Sequence, residues 1–153
     1  WRAMEKLYED GRVRAIGVCN FHPHHLDDLM ETAHVIPMVD QVEFHPLLTQ
    51  VELRRFCKNK KIQMEAYSPL LHGHLDQPVL KQLGEKYGKS PAQIILRWDL
   101  QNGVVTIPKS VHKDRIIENS NVFDFELSQE DMDTISDLNQ NYRTGSDPDH
   151  FDF

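Results

Sequence analysis

The chain has 153 residues, a length that suits one ordinary domain with a sizeable core, and we treat residues 1–153 as a single domain. Its 24 acidic and 17 basic residues give a net charge of -7 at pH 7. A general nucleic-acid partner is therefore not expected, because no basic excess is present to neutralise backbone phosphates.

The lengths of the apolar runs and the two cysteines together predict a cytoplasmic protein. No apolar run approaches the roughly 20 residues of a membrane span, so we expect no membrane partner. The two cysteines, Cys19 and Cys57, lie in strand-like and helical apolar surroundings, which indicates reduced thiols and a cytoplasmic protein. Because helical apolar spacing already begins at Trp1, we expect the chain to start inside a larger protein.

Predicted helices and strands alternate along the chain. Ser90, Pro91 and Gln93 form a helix-start signature with a serine cap, and Ser128 begins a later helix. The stretch around His72 is predicted to be a long connection, and residues 139–153 a carboxy-terminal loop. The predicted strands are 13–19, 38–44, 62–67 and 104–107, and the predicted helices are 1–8, 24–33, 51–57, one starting at 90, one following 110 and one starting at 128.

Four strands that alternate with helices predict a parallel sheet in an α/β protein, because each crossover helix covers one face. A doubly wound sheet is one option, but its Gly-x-Gly-x-x-Gly fingerprint is missing from the turns. Polar groups follow each strand, as they do in a parallel (β/α)8 TIM barrel. They are Cys19-Asn20, Gln41 to His45, Tyr67-Ser68 and Lys109-Ser110. We therefore favour a barrel of which this chain supplies about half.

The stretch after the last predicted strand has the features of an anion site. Its apolar run stops at Pro108, and a cationic, hydroxyl-bearing turn at Lys109-Ser110 leads into a helix that carries Arg115. Helix N–H groups, the positive end of the helix dipole and two cations would suit a phosphate. A buried strand followed by a well-capped surface helix would have much the same pattern.

Four segments resemble the aldo-keto reductase family, in order and over nearly the whole chain. They are 11–21, 40–46, 66–70 and 107–119, which resemble the ends of the fifth to eighth strands of that family's barrel. The resemblance implies that the chain corresponds to the carboxy-terminal half of the barrel.

The resemblance also implies a nicotinamide cofactor and the residues that bind it. Cys19 stands where the family has a serine, so that contact is weakened because a thiol is a poorer donor. Two cations around an adenosine 2′-phosphate imply NADP rather than NAD. The implied contacts are Cys19, Asn20 and Gln41 for the nicotinamide amide, Tyr67 for its ring, Ser68 and Leu70 for the pyrophosphate, Lys109, Ser110 and Arg115 for the 2′-phosphate with Val111 and His112 in the same turn, and Glu118 and Asn119 for the adenine edge.

The implied activity is reduction of an aldehyde or ketone to an alcohol by hydride transfer from NADPH. The family's proton-donor tyrosine and its three assisting residues belong to the first half of the barrel, so we assign no catalytic residue here and expect this chain alone to be inactive. A non-catalytic dinucleotide-binding or regulatory half-barrel is the alternative. The expected partners are a small carbonyl substrate and, at the exposed strand edges, either a missing amino-terminal half-barrel or a second copy of the chain.

A pair of glutamates and two groups of histidines could each indicate another kind of site. Glu43 and Glu65 would both point into the barrel, where paired carboxylates suit a hydrolase. We expect instead structural charges whose partners come from neighbouring strands, because a hydrolase leaves the Lys109 turn unexplained. The histidines at 22, 24 and 25 and at 72 and 74 are spaced like metal ligands. We predict no metal site, since both groups are expected in exposed loops without a carboxylate at matching distance.

Overall fold

The computed structural model describes residues 1–150, in which helices and strands alternate as predicted. Single 3₁₀ turns lie at Leu71–Gly73 and Pro148–His150. The longer elements are α1 (Arg2–Glu9), β1 (Gly17–Cys19), α2 (Pro23–Met30), β2 (Val39–Glu43), α3 (Val51–Lys60), β3 (Gln63–Tyr67), α4 (Pro78–Tyr87), α5 (Pro91–Gln101), β4 (Val105–Thr106), α6 (Lys113–Ser120) and α7 (Gln129–Ser136).

The four strands form one parallel sheet in the order β1-β2-β3-β4, which confirms the predicted parallel arrangement. Because all four strands run in one direction, their carboxyl ends meet at a single edge. In the register, Gln41 lies beside Cys19 on one side and beside Glu65 on the other, and Glu43 lies beside Tyr67. The polar strand ends identified in the sequence are therefore neighbours in space.

β1 and β4 are shorter than the sequence suggested. At β1, a side chain on Gly17 would place its Cβ 2.6 Å from the carbonyl oxygen of Val39, so this strand approaches β2 at a position that only glycine fits. Within the described residues, β1 and β4 each have one neighbouring strand. Exposed apolar residues are Val13, before β1, Val105, within β4, and Ile107, directly after β4.

Helix α5 is the central helix of the core, and its predicted start is confirmed. The backbone N–H of Gln93 donates to Ser90 Oγ at 3.3 Å, and the N–H of Ser90 donates to Gln93 Oε1 at 3.0 Å. Behind this capping box, Ile94, Ile95 and Trp98 are fully buried. The reciprocal cap fixes the helix start, so its apolar face is directed into the core.

Helix α4 lies in the stretch that the sequence pattern predicts to be a long connection, so that prediction is wrong for residues 78–87. The local signals are nevertheless present, since Pro78 occupies the first turn and Gly88 closes the helix at a φ of 64°. Leu80 and Leu83 are buried against the core. These two leucines alone give too few apolar positions to indicate a helix, so the two end signals are needed to predict it.

Helix α1 does not bury the apolar face that its spacing predicted. Met4 is 41% exposed, whereas Glu5 is buried. The Glu5 carboxylate accepts the backbone N–H groups of Val35 and His34 at 2.8 and 2.7 Å. The hydrogen bond from Val35 contributes most to lowering the Glu5 pKa, so this carboxylate ties α1 to the segment before β2.

After α7 the chain has neither helix nor strand from residue 139 to residue 147, and the turn Pro148–His150 follows. The last three positions of the predicted carboxy-terminal loop, 151–153, lie outside the described residues. Among the residues described, no helix has both the length and the apolar character needed to span a bilayer.

Candidate functional site

The ends of β1 and β2 bring together the three residues implied to bind a carboxamide. Asn20 adopts a left-handed φ of 59°, which asparagine tolerates better than most residues, and its N–H donates to the carbonyl of Gln41 at 2.9 Å. The Gln41 amide donates to Glu65 at 2.6 Å, while the Cys19 thiol lies 3.9 Å from Gln41 Oε1. Glu65 therefore fixes the orientation of Gln41, and Cys19 adds only a weak contact.

The pKa of the Cys19 thiol is raised although the residue is exposed. Partial desolvation at the end of β1 contributes most, and the nearby carboxylates of Asp40 and Glu65 add to the effect. At the end of β3, burial likewise raises the pKa of the half-buried Tyr67 phenol, and Glu43 adds to the effect. Both groups are neutral hydrogen-bonding groups near pH 7 rather than anions.

Tyr67 and the end of β1 line an open cavity of about 820 Å³. Cys19, Asn20 and Phe21 form one side, and Ser146 from the carboxy-terminal segment closes another. The cavity is therefore bounded by the sheet on one side and by the chain after α7 on the other. Gln41 reaches this region through its contacts with Cys19 and with the Asn20 backbone.

A second cleft, of about 700 Å³, lies beyond β3 and collects most of the residues of the predicted anion site. It extends from the turn after β3 to the first turns of α6. The predicted site residues that line it are Ser68, Leu70, Lys109, Ser110, Arg115, Glu118 and Asn119. His72 also lines the cleft, although its sequence context had suggested only a metal-ligand spacing. Val111 and His112 are exposed beside the cleft instead of lining it.

The cleft is suited to an anion. Within residues 1–150, neither Lys109 nor Arg115 pairs with a carboxylate, and both are exposed. Ser110 Oγ accepts the N–H of His112 at 3.1 Å and so shapes the turn into α6. Two cations without an acidic partner among the described residues therefore line the same cleft.

Glu43 has a different environment from the one predicted. It is fully buried together with His45, whose Nε2 lies 3.0 Å from Glu43 Oε1. The other partners come from the segment after α7: the N–H and hydroxyl of Thr144 and the N–H of Gly145. The expectation that neighbouring strands would supply its partners is wrong for Glu43, whereas it is confirmed for Glu65, which pairs with Gln41.

Burial would raise the Glu43 pKa, but the hydrogen bonds from Thr144, His45 and Gly145 outweigh it and lower the pKa. The carboxylate is thus ionised, fully hydrogen-bonded and shielded from solvent. A hydrolase needs one of its two carboxyl groups to hold a proton and reach a substrate. Glu43 does neither, which removes the geometric basis for pairing it with Glu65 in hydrolysis.

The three histidines near residue 22 are also differently placed from the prediction. They lie at the start of α2, and Asp149 approaches all three from the carboxy-terminal segment at 3.0 to 3.3 Å. The expectation that no carboxylate would lie at matching distance is therefore wrong. The contact joins positions more than a hundred residues apart, which the spacing of the histidines cannot reveal.

The parallel sheet with polar residues at its carboxyl edge agrees with the family that the sequence matches. Residues 1–140 match the family model described as the Aldo/keto reductase family, and the chain belongs to that family. The resemblance stated from the sequence and the parallel α/β fold of the TIM-barrel type are thereby confirmed.

Individual relatives agree with this assignment. The chain is 62% identical to glyoxal reductase of Bacillus subtilis, over 100% of this chain and 56% of that protein. It is 46% identical to methylglyoxal reductase DkgA of Escherichia coli (strain K12), over 99% of this chain and 56% of that protein. The chain thus spans about half the length of the curated relatives it matches.

A solved structure shows the same arrangement of elements. A Gox0644 mutant in complex with NADPH superposes with a TM-score of 0.96 at 40% identity, over 100% of this chain and 57% of that one. A structural relative that binds NADPH therefore shares the backbone on which both clefts are built.

Proposed function

We propose that this chain forms the NADPH-binding side of an aldo-keto reductase that reduces small aldehydes and ketones to alcohols. The observation that carries the proposal is the cleft between β3 and α6, where Lys109 and Arg115 lack acidic partners in the described part of the chain. The reductases of glyoxal and methylglyoxal among the relatives support small 2-oxoaldehydes as the substrate class.

The two clefts accommodate the two ends of one extended dinucleotide. Tyr67 lines the open cavity at the ends of β1 and β3, and Ser68, the next residue, lines the cleft between β3 and α6. A ligand that crosses the end of β3 can therefore place its nicotinamide beside Tyr67, Asn20 and Gln41 while its adenosine end reaches α6. An offset-stacked phenol ring suits the nicotinamide, and the fixed Gln41 amide suits its carboxamide.

The cations favour NADPH over NADH. A 2′-phosphate carries about two negative charges at neutral pH, and Lys109 and Arg115 can neutralise it. A ribose hydroxyl would leave the two cations without a counter-charge. Glu118 and Asn119 are half-buried in the same cleft and supply hydrogen-bonding groups for the adenine edge.

The chemistry divides between the cofactor and the protein. Bound NADPH supplies the hydride that reduces the carbonyl carbon. Asn20 and Gln41 orient the carboxamide, and Tyr67 supports the nicotinamide ring. The Lys109 turn binds the adenosine end, so that contacts far from the reacting carbon help to position the nicotinamide. We assign no proton donor to this chain and propose that the donor is supplied from outside it, so that the chain alone does not turn over substrate.

Fluorescence titration with NADPH tests the cofactor assignment. We expect Lys109→Ala and Arg115→Ala each to weaken NADPH binding by roughly 10- to 100-fold, because each removes a charged hydrogen bond. NADH affinity should hardly change in either variant. Lys113→Ala is the matched control, since Lys113 is exposed on the same helix but does not line the cleft. Equal NADPH affinity in the wild type and in both cleft variants would refute the 2′-phosphate assignment.

A turnover assay with methylglyoxal, done after the titration, distinguishes a reductase from the non-catalytic alternative, because both bind NADPH but only a reductase oxidises it. A reductase oxidises NADPH once the chain is part of a closed barrel. A binding or regulatory half-barrel retains NADPH affinity without oxidation in any assembly.

The outer edges of β1 and β4 support a proposal about partners. We propose that these edges pair either with further strands of a barrel or with a second copy of the chain, because unpaired edges beside exposed Val105 and Ile107 invite strand addition. Light scattering after size-exclusion chromatography should show the isolated chain above monomer mass. A monodisperse monomer that melts cooperatively would contradict this proposal.

A further inference from the structure

A second cluster of chemically active side chains lies at the start of α2, away from the cleft assigned to the 2′-phosphate. Asp149 Oδ2 lies 3.0 Å from His22 Nδ1, and Asp149 Oδ1 lies 3.0 Å from His24 Nε2. The same Oδ1 lies 3.3 Å from His25 Nε2. Three imidazoles thus surround one carboxylate, although nothing in the cofactor proposal requires them.

We propose that His22, His24 and Asp149 form a binding site for a transition-metal ion, with Zn²⁺ as the best match. One ligand atom from each residue lies within 4.8 Å of the other two. Ligands on a tetrahedral zinc with bonds of about 2.0–2.1 Å are roughly 3.3 Å apart. The ligand nitrogens of His22 and His24 each lie 3.0 Å from one of the two oxygens of the Asp149 carboxylate, so an ion can enter with small side-chain movements.

The donor set selects the class of metal. Two imidazole nitrogens and one carboxylate oxygen suit Zn²⁺, Ni²⁺ or Cu²⁺. Mg²⁺ and Ca²⁺ prefer oxygen ligands throughout, which this group does not offer. Because His24 and Asp149 are both exposed, an ion can reach the site from solvent.

His25 positions the carboxylate and is not a metal ligand. Its Nδ1 accepts the backbone N–H of His22 at 3.0 Å, so the neutral ring carries its proton on Nε2. That nitrogen lies 3.3 Å from Asp149 Oδ1. Three protein ligands therefore remain, and water completes the tetrahedron.

Arg143 competes with the metal. Its guanidinium lies 3.0 Å from His22 Nε2 and, as an obligate donor, requires that nitrogen to accept. The His22 proton then sits on Nδ1, where it donates to Asp149. A metal on Nδ1 requires the proton to move to Nε2, so Arg143 must withdraw when the ion binds.

Isothermal titration of the metal-stripped protein with Zn²⁺ tests the site. We expect one ion per chain, and we expect His24→Ala and Asp149→Asn each to weaken binding at least about tenfold. Co²⁺ substitution should give visible ligand-field bands that disappear in the same variants. His74→Ala is the matched control, because His74 is an exposed histidine outside the cluster.

Arg143→Gln distinguishes a metal site from a cluster of hydrogen bonds. Removal of the competing donor should tighten Zn²⁺ binding, an effect that a misfolded or merely weakened variant does not produce. The proposal is overturned if the wild type binds no Zn²⁺, if Asp149→Asn binds as the wild type does, or if His74→Ala loses binding equally. None of these measurements requires NADPH or a substrate, so the metal site stands or falls independently of the proposed function.

Discussion

Trp98→Ala is expected to lower the free energy of unfolding by about 3–5 kcal/mol, the range for removal of a large buried aromatic side chain. Trp98 has no solvent exposure and stacks on Phe44, with ring centroids 4.9 Å apart and an interplanar angle of 8°. Its Nε1 donates to Ser136 Oγ at 3.1 Å. The side chain thus links α5 to the residue that follows β2 and to α7, and its loss leaves a cavity between them.

Urea denaturation followed by circular dichroism measures this change. Trp98→Phe keeps an aromatic ring against Phe44 and should be clearly less destabilising than the alanine variant. Tyr142→Ala is a surface control, since Tyr142 is 52% exposed, and should change stability by less than about 0.5 kcal/mol. A loss below about 1 kcal/mol for Trp98→Ala would mean that the core repacks around the site or that Trp98 is not central to it.

Glu43→Ala is expected to lower the free energy of unfolding by about 3 kcal/mol, because it removes the buried carboxylate that accepts hydrogen bonds from His45 and Thr144. Burial lowers the His45 pKa, so the imidazole is neutral near pH 7, and each donor left without its acceptor costs roughly 1–3 kcal/mol. His45 would be left buried without its acceptor, and Thr144 and Gly145 would lose the carboxylate that holds them. Limited trypsin digestion should then cut faster after Arg143, since the segment that follows it is released.

Glu65→Ala is the matched control for Glu43. Glu65 also lies on an inward strand position but is half-buried and hydrogen-bonded to Gln41. We expect a smaller loss of stability there and unchanged trypsin sensitivity at Arg143. Equal digestion rates for the wild type and Glu43→Ala would contradict the role of Glu43 as an anchor of the segment.

The pH dependence of stability provides a second check on Glu43. Its pKa in the folded protein is lowered, so the unfolded chain binds the proton more tightly. The stabilisation is therefore present above the ordinary carboxyl pKa and is lost as pH falls through the lower folded value. In Glu43→Gln, which has no charge at this position, that part of the acid sensitivity should disappear.

The pattern of apolar, polar and capping residues was sufficient to predict those elements whose contacts join residues close together in the sequence. The apolar runs predicted the four strands, the Ser90 capping box predicted α5, and strand polarity placed Asn20, Gln41 and Tyr67 at one edge. Most of the residues implied for the 2′-phosphate line one cleft because they belong to one continuous turn and helix.

Contacts between distant segments could not be predicted in the same way. Thr144 reaches Glu43 across 101 positions, and Asp149 reaches His22 across 127. Neither pair produces periodicity or spacing that a sequence pattern can reveal. Glu5 was missed for a related reason, since its buried role depends on backbone N–H groups 29 and 30 positions away.

The segment after α7 is attached at two points, and this has a consequence for how binding pockets of this kind can diversify. Gly145 is held by Glu43 beneath it, and Asp149 is held by the imidazoles at the start of α2. Only residues 146–148 bridge the two attachments, and Ser146 and Pro148 face the cavity beside Tyr67. This short bridge therefore forms one wall of the cavity, and a change in its length would reshape that wall while the sheet and both attachments stay the same.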